Sequence, residues 1–135
     1  MWKRNAASHG RREYPGLKGA RQQALEGFPA VFEVGLPLYR QVKEHLSPND
    51  AAVQTLLGII AVVDDTNIVS RAGMETLRWV KNEANRVLKR GGMFTASGRK
   101  AMDRLCAGFR EKNISPGGGA DMLSATIFID NLVSG

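Results

Sequence analysis

Two stretches of this chain leave little choice of fold. Residues 51–63 and 120–133 are apolar on most faces of a helix, and neither alternates with the period of two that a half-buried strand shows. A helix without a polar face has to be surrounded, which puts 51–63 at the centre of a helical array. It is too short for a membrane span, which takes about 20 apolar residues, and Gln54 and Thr55 interrupt it. Two such helices want more cover than a chain of 135 residues easily supplies. The expectation is therefore part of a larger helical domain, completed by a second copy or by a partner chain.

The other segments also read as helices. Residues 17–26 make a short one ended by Gly27, and a second runs from Pro29 to about Leu46. Pro37 should kink that helix near Gly35, because it has no N–H and its ring presses on the carbonyl one turn back. Ser47-Pro48-Asn49-Asp50 opens the central helix. A fourth helix spans 72–90, with Met74, Leu77, Val80, Ala84, Val87 and Leu88 on one stripe, and Gly91-Gly92 stop it. Thr95 or Ser97 caps a fifth, with Met102, Leu105, Cys106 and Phe109 on its apolar face. Ser115 as N-cap and Pro116 at the first position open the last helix, from Gly117 to about Leu132. The fold class is all-α: a compact array of five to six helices over 17–135, preceded by a basic segment at 1–16.

Composition excludes several kinds of site. One cysteine, Cys106, allows no internal disulfide and no multi-cysteine zinc site, and two histidines, His9 and His45, allow no His-rich metal site. Cys106 is expected in the core and His45 at the surface near a helix end. Residues 1–15 have no apolar core of the signal-peptide kind, so a soluble cytoplasmic protein is expected. Charge is segregated. Residues 1–21 hold six Lys/Arg against Glu13 alone, 44–75 hold five acids against Arg71, and 78–112 hold ten Lys/Arg against three acids. An acidic centre between basic segments suits a polyanion held with a divalent cation; the plain alternative is a basic tail and solvated helix faces.

Three constellations could carry chemistry. In Asp64-Asp65-Thr66-Asn67 two carboxylates follow the central helix, at the negative end of its dipole, where Mg²⁺ bound with phosphate oxygens would relieve them. Thr66 and Asn67 could meet a sugar hydroxyl, and Arg71, one turn on, a phosphate. In Asn113-Ile114-Ser115-Pro116-Gly117-Gly118-Gly119-Ala120-Asp121 a helix start with three glycines offers backbone N–H groups to an anion, with Asp121 as a cap or cation ligand. No Gly-Lys-Ser/Thr follows, so this is not a Walker loop. The third holds His9-Gly10, Gly19-Ala20-Arg21 and Gly27-Phe28-Pro29, a possible anion-closing loop beside Trp2 and Tyr14. The plain alternatives are a solvated acidic turn, a tight connector and a tail histidine.

Taken in order, His9-Gly10, Gly19-Ala20-Arg21, Gly27-Phe28-Pro29-Ala30-Val31, Gly35-Leu36-Pro37, Asp65-Thr66-Asn67, Arg71-Ala72-Gly73 and 113–121 resemble the C-terminal half of the triphosphoribosyl-dephospho-CoA synthase family (CitG/MdcB type). The resemblance runs from about His9 to Leu132. It implies an all-helical fold and transfer of triphosphoribose from ATP to 3′-dephospho-CoA with release of adenine. The product is the prosthetic-group precursor for the acyl carrier protein of citrate lyase or malonate decarboxylase. On this basis Asp65 and Asp121 are the catalytic candidates, and Asp64, Asp65 and Asp121 the candidate Mg²⁺ ligands. Nucleotide and phosphate contacts are expected from His9, Arg21, Thr66, Asn67, Arg71, Ser115, Gly117 and Gly118. The resemblance also implies a length about twice this one and an N-terminal Gly-Gly-Val-Asn-Thr-His-Lys-Gly type motif, which does not occur here. Gln22-Gln23 stands where the family tends to have Gly-Glu. Two other readings therefore stand beside the transferase: a non-catalytic truncated homologue or subunit that needs a partner, and a basic helical nucleic-acid-binding protein using 78–112. Asp64, Asp65 and Asp121 speak against the last.

Overall fold

The computed structural model describes residues 30–134. The segment 1–16, the expected helix at 17–26, and His9 and Arg21 lie outside them. Among the described residues there are six α-helices and no strand: α1 (Leu36–Val42), α2 (Pro48–Val62), α3 (Thr66–Ala72), α4 (Met74–Lys89), α5 (Ala96–Lys112) and α6 (Gly117–Ser134). A π-helical turn, Val31–Gly35, leads into α1, and a 3₁₀ turn, Gly92–Phe94, joins α4 to α5.

The π turn is how this helix accommodates Pro37. The Leu36 N–H bonds to the carbonyl of Val31, five residues back, which widens the turn just before the proline. The expected kink near Gly35 is this widening. The helix also ends earlier than expected: beyond Val42 the chain turns, with the N–H groups of His45 and Leu46 both bonding to the Val42 carbonyl.

Helix α2 is central, as its apolar faces require. It packs against α1, α4, α6 and both short turns. Leu57 is 0% exposed, and Ile59, Ile60 and Ala51 are also buried. Its two interior polar residues are both satisfied. Thr55 donates to the Ala51 carbonyl at 2.8 Å, and the Gln54 Oε1 accepts from the Met93 N–H at 2.8 Å, which ties α2 to the 3₁₀ turn. The turn comes this close because residue 92 is glycine; a Cβ there would stand 2.2 Å from the Gln54 Oε1.

The core joins α2, α3, α4 and α5 through Leu57, Ile60, Ile68, Val80, Val87 and Leu105. Ser47 caps α2 through the Asp50 N–H, and Thr95 rather than Ser97 caps α5 through the Gly98 N–H. Cys106 is only half-buried, at the edge of the α5 apolar face.

Helix α3 was not expected as a separate element. Val63, with ψ 139°, leaves α2 extended, and Asp65 starts a new helix that Gly73 (φ 91°) ends before α4. Helix α6 is unusual in another way. Thr126 and Asp130 face inward at 0% and 2% exposure, while Phe128, Leu132 and Val133 face out at 62%, 67% and 70%. Among the described residues no single helix is long and apolar enough to cross a membrane, and α2 and α3, which reach that length together, meet at 67°.

Candidate functional site

The start of α3 and the start of α6 meet at one buried carboxylate. Asp65 is 2% exposed. Its Oδ1 accepts from the Asn67 N–H at 3.0 Å, which caps its own helix. Its Oδ2 accepts from the N–H groups of Gly118 and Gly119 at 3.0 and 3.2 Å, which caps α6 from across the fold. The positive ends of two helix dipoles thus converge on one negative charge.

Three glycines make this approach possible. A Cβ on Gly117 would come 2.6 Å from the Asn67 Nδ2, one on Gly118 3.1 Å from the Asp65 Oδ1, and one on Gly119 2.7 Å from the Ile60 Cγ2. The Gly run is therefore the contact surface of α6 on the α2–α3 bend.

This geometry revises several expectations. Asp65 does not sit unrelieved at the negative end of α2, because Val63 leaves that helix extended and Asp65 caps the positive end of α3. The Gly118 N–H, expected to meet phosphate, is taken by Asp65. Ser115 is exposed, and the first α6 carbonyl partner is Pro116, which accepts from the Ala120 N–H at 2.9 Å. The capping role expected of Ser115 is filled by Asp65.

The remaining described candidates lie on α3 and α6 or just before them. Asn67 is exposed, with its side-chain amide against Gly117. Thr66 is half-buried, and Arg71, four residues after Asn67 on α3, is exposed. Asp121 is the fifth residue of α6, just past its first turn, and is exposed. The two catalytic candidates differ in setting: Asp65 is buried in the joint, and Asp121 is exposed three residues after Gly118. Asp64 forms an ion pair with Lys81 of α4.

These carboxylates fit poorly as a metal cage. Among the described residues no three His, Cys, Asp or Glu side chains gather where they could hold a metal ion. Asp65 is buried with three backbone N–H groups on its two oxygens, and Asp64 already has a cation. Of the three expected ligands, Asp121 alone is exposed.

A second buried carboxylate escaped the sequence reading. Asp130 of α6 accepts from Arg40 Nε at 3.1 Å and Lys43 Nζ at 2.6 Å, both on or just after α1. The Lys43 hydrogen bond lowers its pKa, burial raises it, and the Arg40 bond and both positive charges lower it further, so the carboxyl titrates below its ordinary range. The available signal was an acid deep inside a largely apolar helix, together with two cations, Arg40 and Lys43, three residues apart.

Comparison with known proteins bears on this site. The family described as CitG, ATP:dephospho-CoA triphosphoribosyl transferase, matches residues 8–135. Among curated relatives, a probable 2-(5''-triphosphoribosyl)-3'-dephosphocoenzyme-A synthase of Azotobacter vinelandii is 41% identical over 128 residues, covering 93% of this chain and 44% of the relative. A protein of the same description from Pseudomonas syringae pv. tomato is 43% identical over 118 residues, with 87% and 40% covered. One from Salmonella typhimurium is 42% identical over 121 residues, with 89% and 40% covered. The chain thus spans about two fifths of the length of the curated relatives it matches. No solved structure matches it.

Proposed function

Because the chain belongs to the CitG family of ATP:dephospho-CoA triphosphoribosyl transferases, we propose that it takes part in triphosphoribosyl transfer from ATP to 3′-dephospho-CoA. In this reading the 2′-hydroxyl oxygen of the dephospho-CoA ribose bonds to the anomeric carbon of ATP. The bond from that carbon to adenine breaks, and the hydroxyl proton leaves with adenine. The observation that carries the reading is the α3–α6 joint, which brings the Asp-Thr-Asn and Ser-Pro-Gly-Gly-Gly-Ala-Asp elements together through Asp65.

The joint suggests a division of labour. Arg71, with Arg21 and His9, would hold the triphosphate. Asn67, Thr66 and Ser115 would meet sugar hydroxyls, with Gly117 beside them. Asp121, the exposed carboxylate near the helix start, would take the hydroxyl proton and pass it to the leaving adenine, or stabilise positive charge on the sugar. Asp64 would share its charge between Lys81 and the substrate. Mg²⁺ enters as the counter-ion of ATP, as part of the substrate. Such chemistry is that of a soluble cytoplasmic enzyme making a prosthetic-group precursor for an acyl carrier protein.

A second reading, a subunit that needs a partner, is favoured by the outer face of α6. Phe128, Leu132 and Val133 present apolar surface there. A second copy or a chain bearing the rest of a full-length relative would cover it.

The test is release of free adenine from ATP, Mg²⁺ and dephospho-CoA, by this chain alone and mixed with the complementary part of a full-length relative. Adenine from the mixture supports the transferase with a required partner, and adenine from the chain alone makes the partner unnecessary. Adenine from neither leaves the non-catalytic module as the reading.

A further inference from the structure

Resting on that transferase reading, we propose that Asp65 is a positioning residue: it binds neither substrate nor metal, but sets Asn67 and the first turn of α6 in register for the reaction.

A carboxylate has about four acceptor positions. Three are filled here by backbone N–H groups from two helices, and the side chain is 2% exposed. A metal ligand would have to expose at least one oxygen along a metal–oxygen bond of about 2.1 Å. The one position left is on Oδ1, in a side chain that is 2% exposed, and swinging the carboxylate outward to present it would cost the Gly118 and Gly119 bonds.

The same carboxylate fixes the parts that do reach solvent. Oδ1 holds the Asn67 backbone, Oδ2 holds the α6 backbone three residues before Asp121, and the Asn67 side chain rests on Gly117. Moving Asp65 moves Asn67 and Asp121 relative to each other. It follows that the triphosphate is gripped by side chains, and that the glycines at 117–119 serve helix contact rather than phosphate approach.

The spectroscopic test needs no nucleotide. In amide NMR spectra of the full chain, Asp65→Asn should shift the Asn67, Gly118 and Gly119 signals and speed their hydrogen exchange about tenfold or more. Asn67→Ala keeps the carboxylate and should leave Gly118 and Gly119 protected. Mn²⁺ added to the parent should leave these three signals sharp. Selective Mn²⁺ broadening that Asp65→Asn removes would make Asp65 a metal ligand and overturn the proposal. So would Gly118 and Gly119 signals unchanged in Asp65→Asn.

The kinetic test uses whichever assembly releases adenine. Asp65→Asn should raise the KM for ATP about tenfold, because Asn67 leaves its place, and lower kcat per folded molecule about tenfold, because Asp121 leaves its place, with half-saturation by Mg²⁺ unchanged. A merely structural role would instead lower kcat by loss of folded enzyme, at constant KM. Absence of adenine release in the parent sinks the transferase reading, and the spectra still decide what Asp65 does.

Discussion

Helix α6 is fastened at both ends by a carboxylate 2% exposed, and the two fastenings differ in kind. At its start Asp65 is held by backbone N–H groups alone. Near its end Asp130 is held by the side chains of Arg40 and Lys43, which are 47% and 32% exposed. The backbone grip needs the two helices to be placed first, and it leaves little room for a Cβ at Gly118 or Gly119. The side-chain grip tolerates backbone shifts, because two long cations can follow the acid. It is correspondingly weaker, since those cations can return to water when the acid is gone. The first joint is built from the Asp65-Thr66-Asn67 and 113–121 elements, whereas the three ion-pairing residues of the second, Arg40, Lys43 and Asp130, belong to none of the elements that carry the family resemblance.

The contrast makes the first joint the more fragile. Asp65→Ala removes the cap of two helices at once and should cost about 3 kcal/mol, from lost caps and unpartnered N–H groups. Urea unfolding of the full chain measures it, and a loss no larger than that of Asp130→Asn would erase the distinction between the joints.

Next in size is a steric test at the far joint. A Cβ on Gly35 would stand 2.2 Å from the Thr126 Oγ1, which has no hydrogen-bond partner among the described residues. Gly35→Ala should therefore cost about 2 kcal/mol by overpacking. Thr126→Ala in the same chain should recover part of that loss, because the double variant removes the clashing oxygen. Equal losses in single and double variants would move the strain elsewhere.

Acid should then separate the two cations' grip from the rest. The folded pKa of Asp130 lies below its ordinary 3.8, so its contribution is complete above that value. It fades as pH falls through the lower, folded pKa. Asp130→Asn should cost about 1.5 kcal/mol at neutral pH, from the charge-assisted bonds, and flatten the acid side of the stability profile. A parent profile already flat below pH 4 would count against the pair.

The smallest effect is expected at Lys81. Its pair with Asp64 is partly exposed, so Lys81→Met should change stability by about 0.5 kcal/mol. A loss of several times that size would mean that Asp64 holds the fold together as firmly as Asp65 does.

Much of this was legible in the chain itself. The central place of α2 follows from its apolar faces, its start from Ser47-Pro48-Asn49-Asp50, the start of α5 from Thr95 or Ser97, and the end of α4 from Gly91-Gly92. Helix α3 was hidden because its seven residues are too few for a periodic pattern, and Asp65 reads equally well as a tail of α2 or a cap of α3. The capping of α6 was hidden because its acceptor lies 53 residues away from Gly118.

The residue types alone determined that this protein is all-α, where most helices start and stop, and which elements are shared with the CitG family. These depend on neighbours within a turn or two, whose geometry is fixed by the backbone. Only the tertiary structure decided what Asp65, Asp130 and the glycines at 117–119 do. A carboxylate's role depends on which donors reach it, and a glycine's on what lies where its Cβ would be. Both are set by the packing of helices distant in the chain.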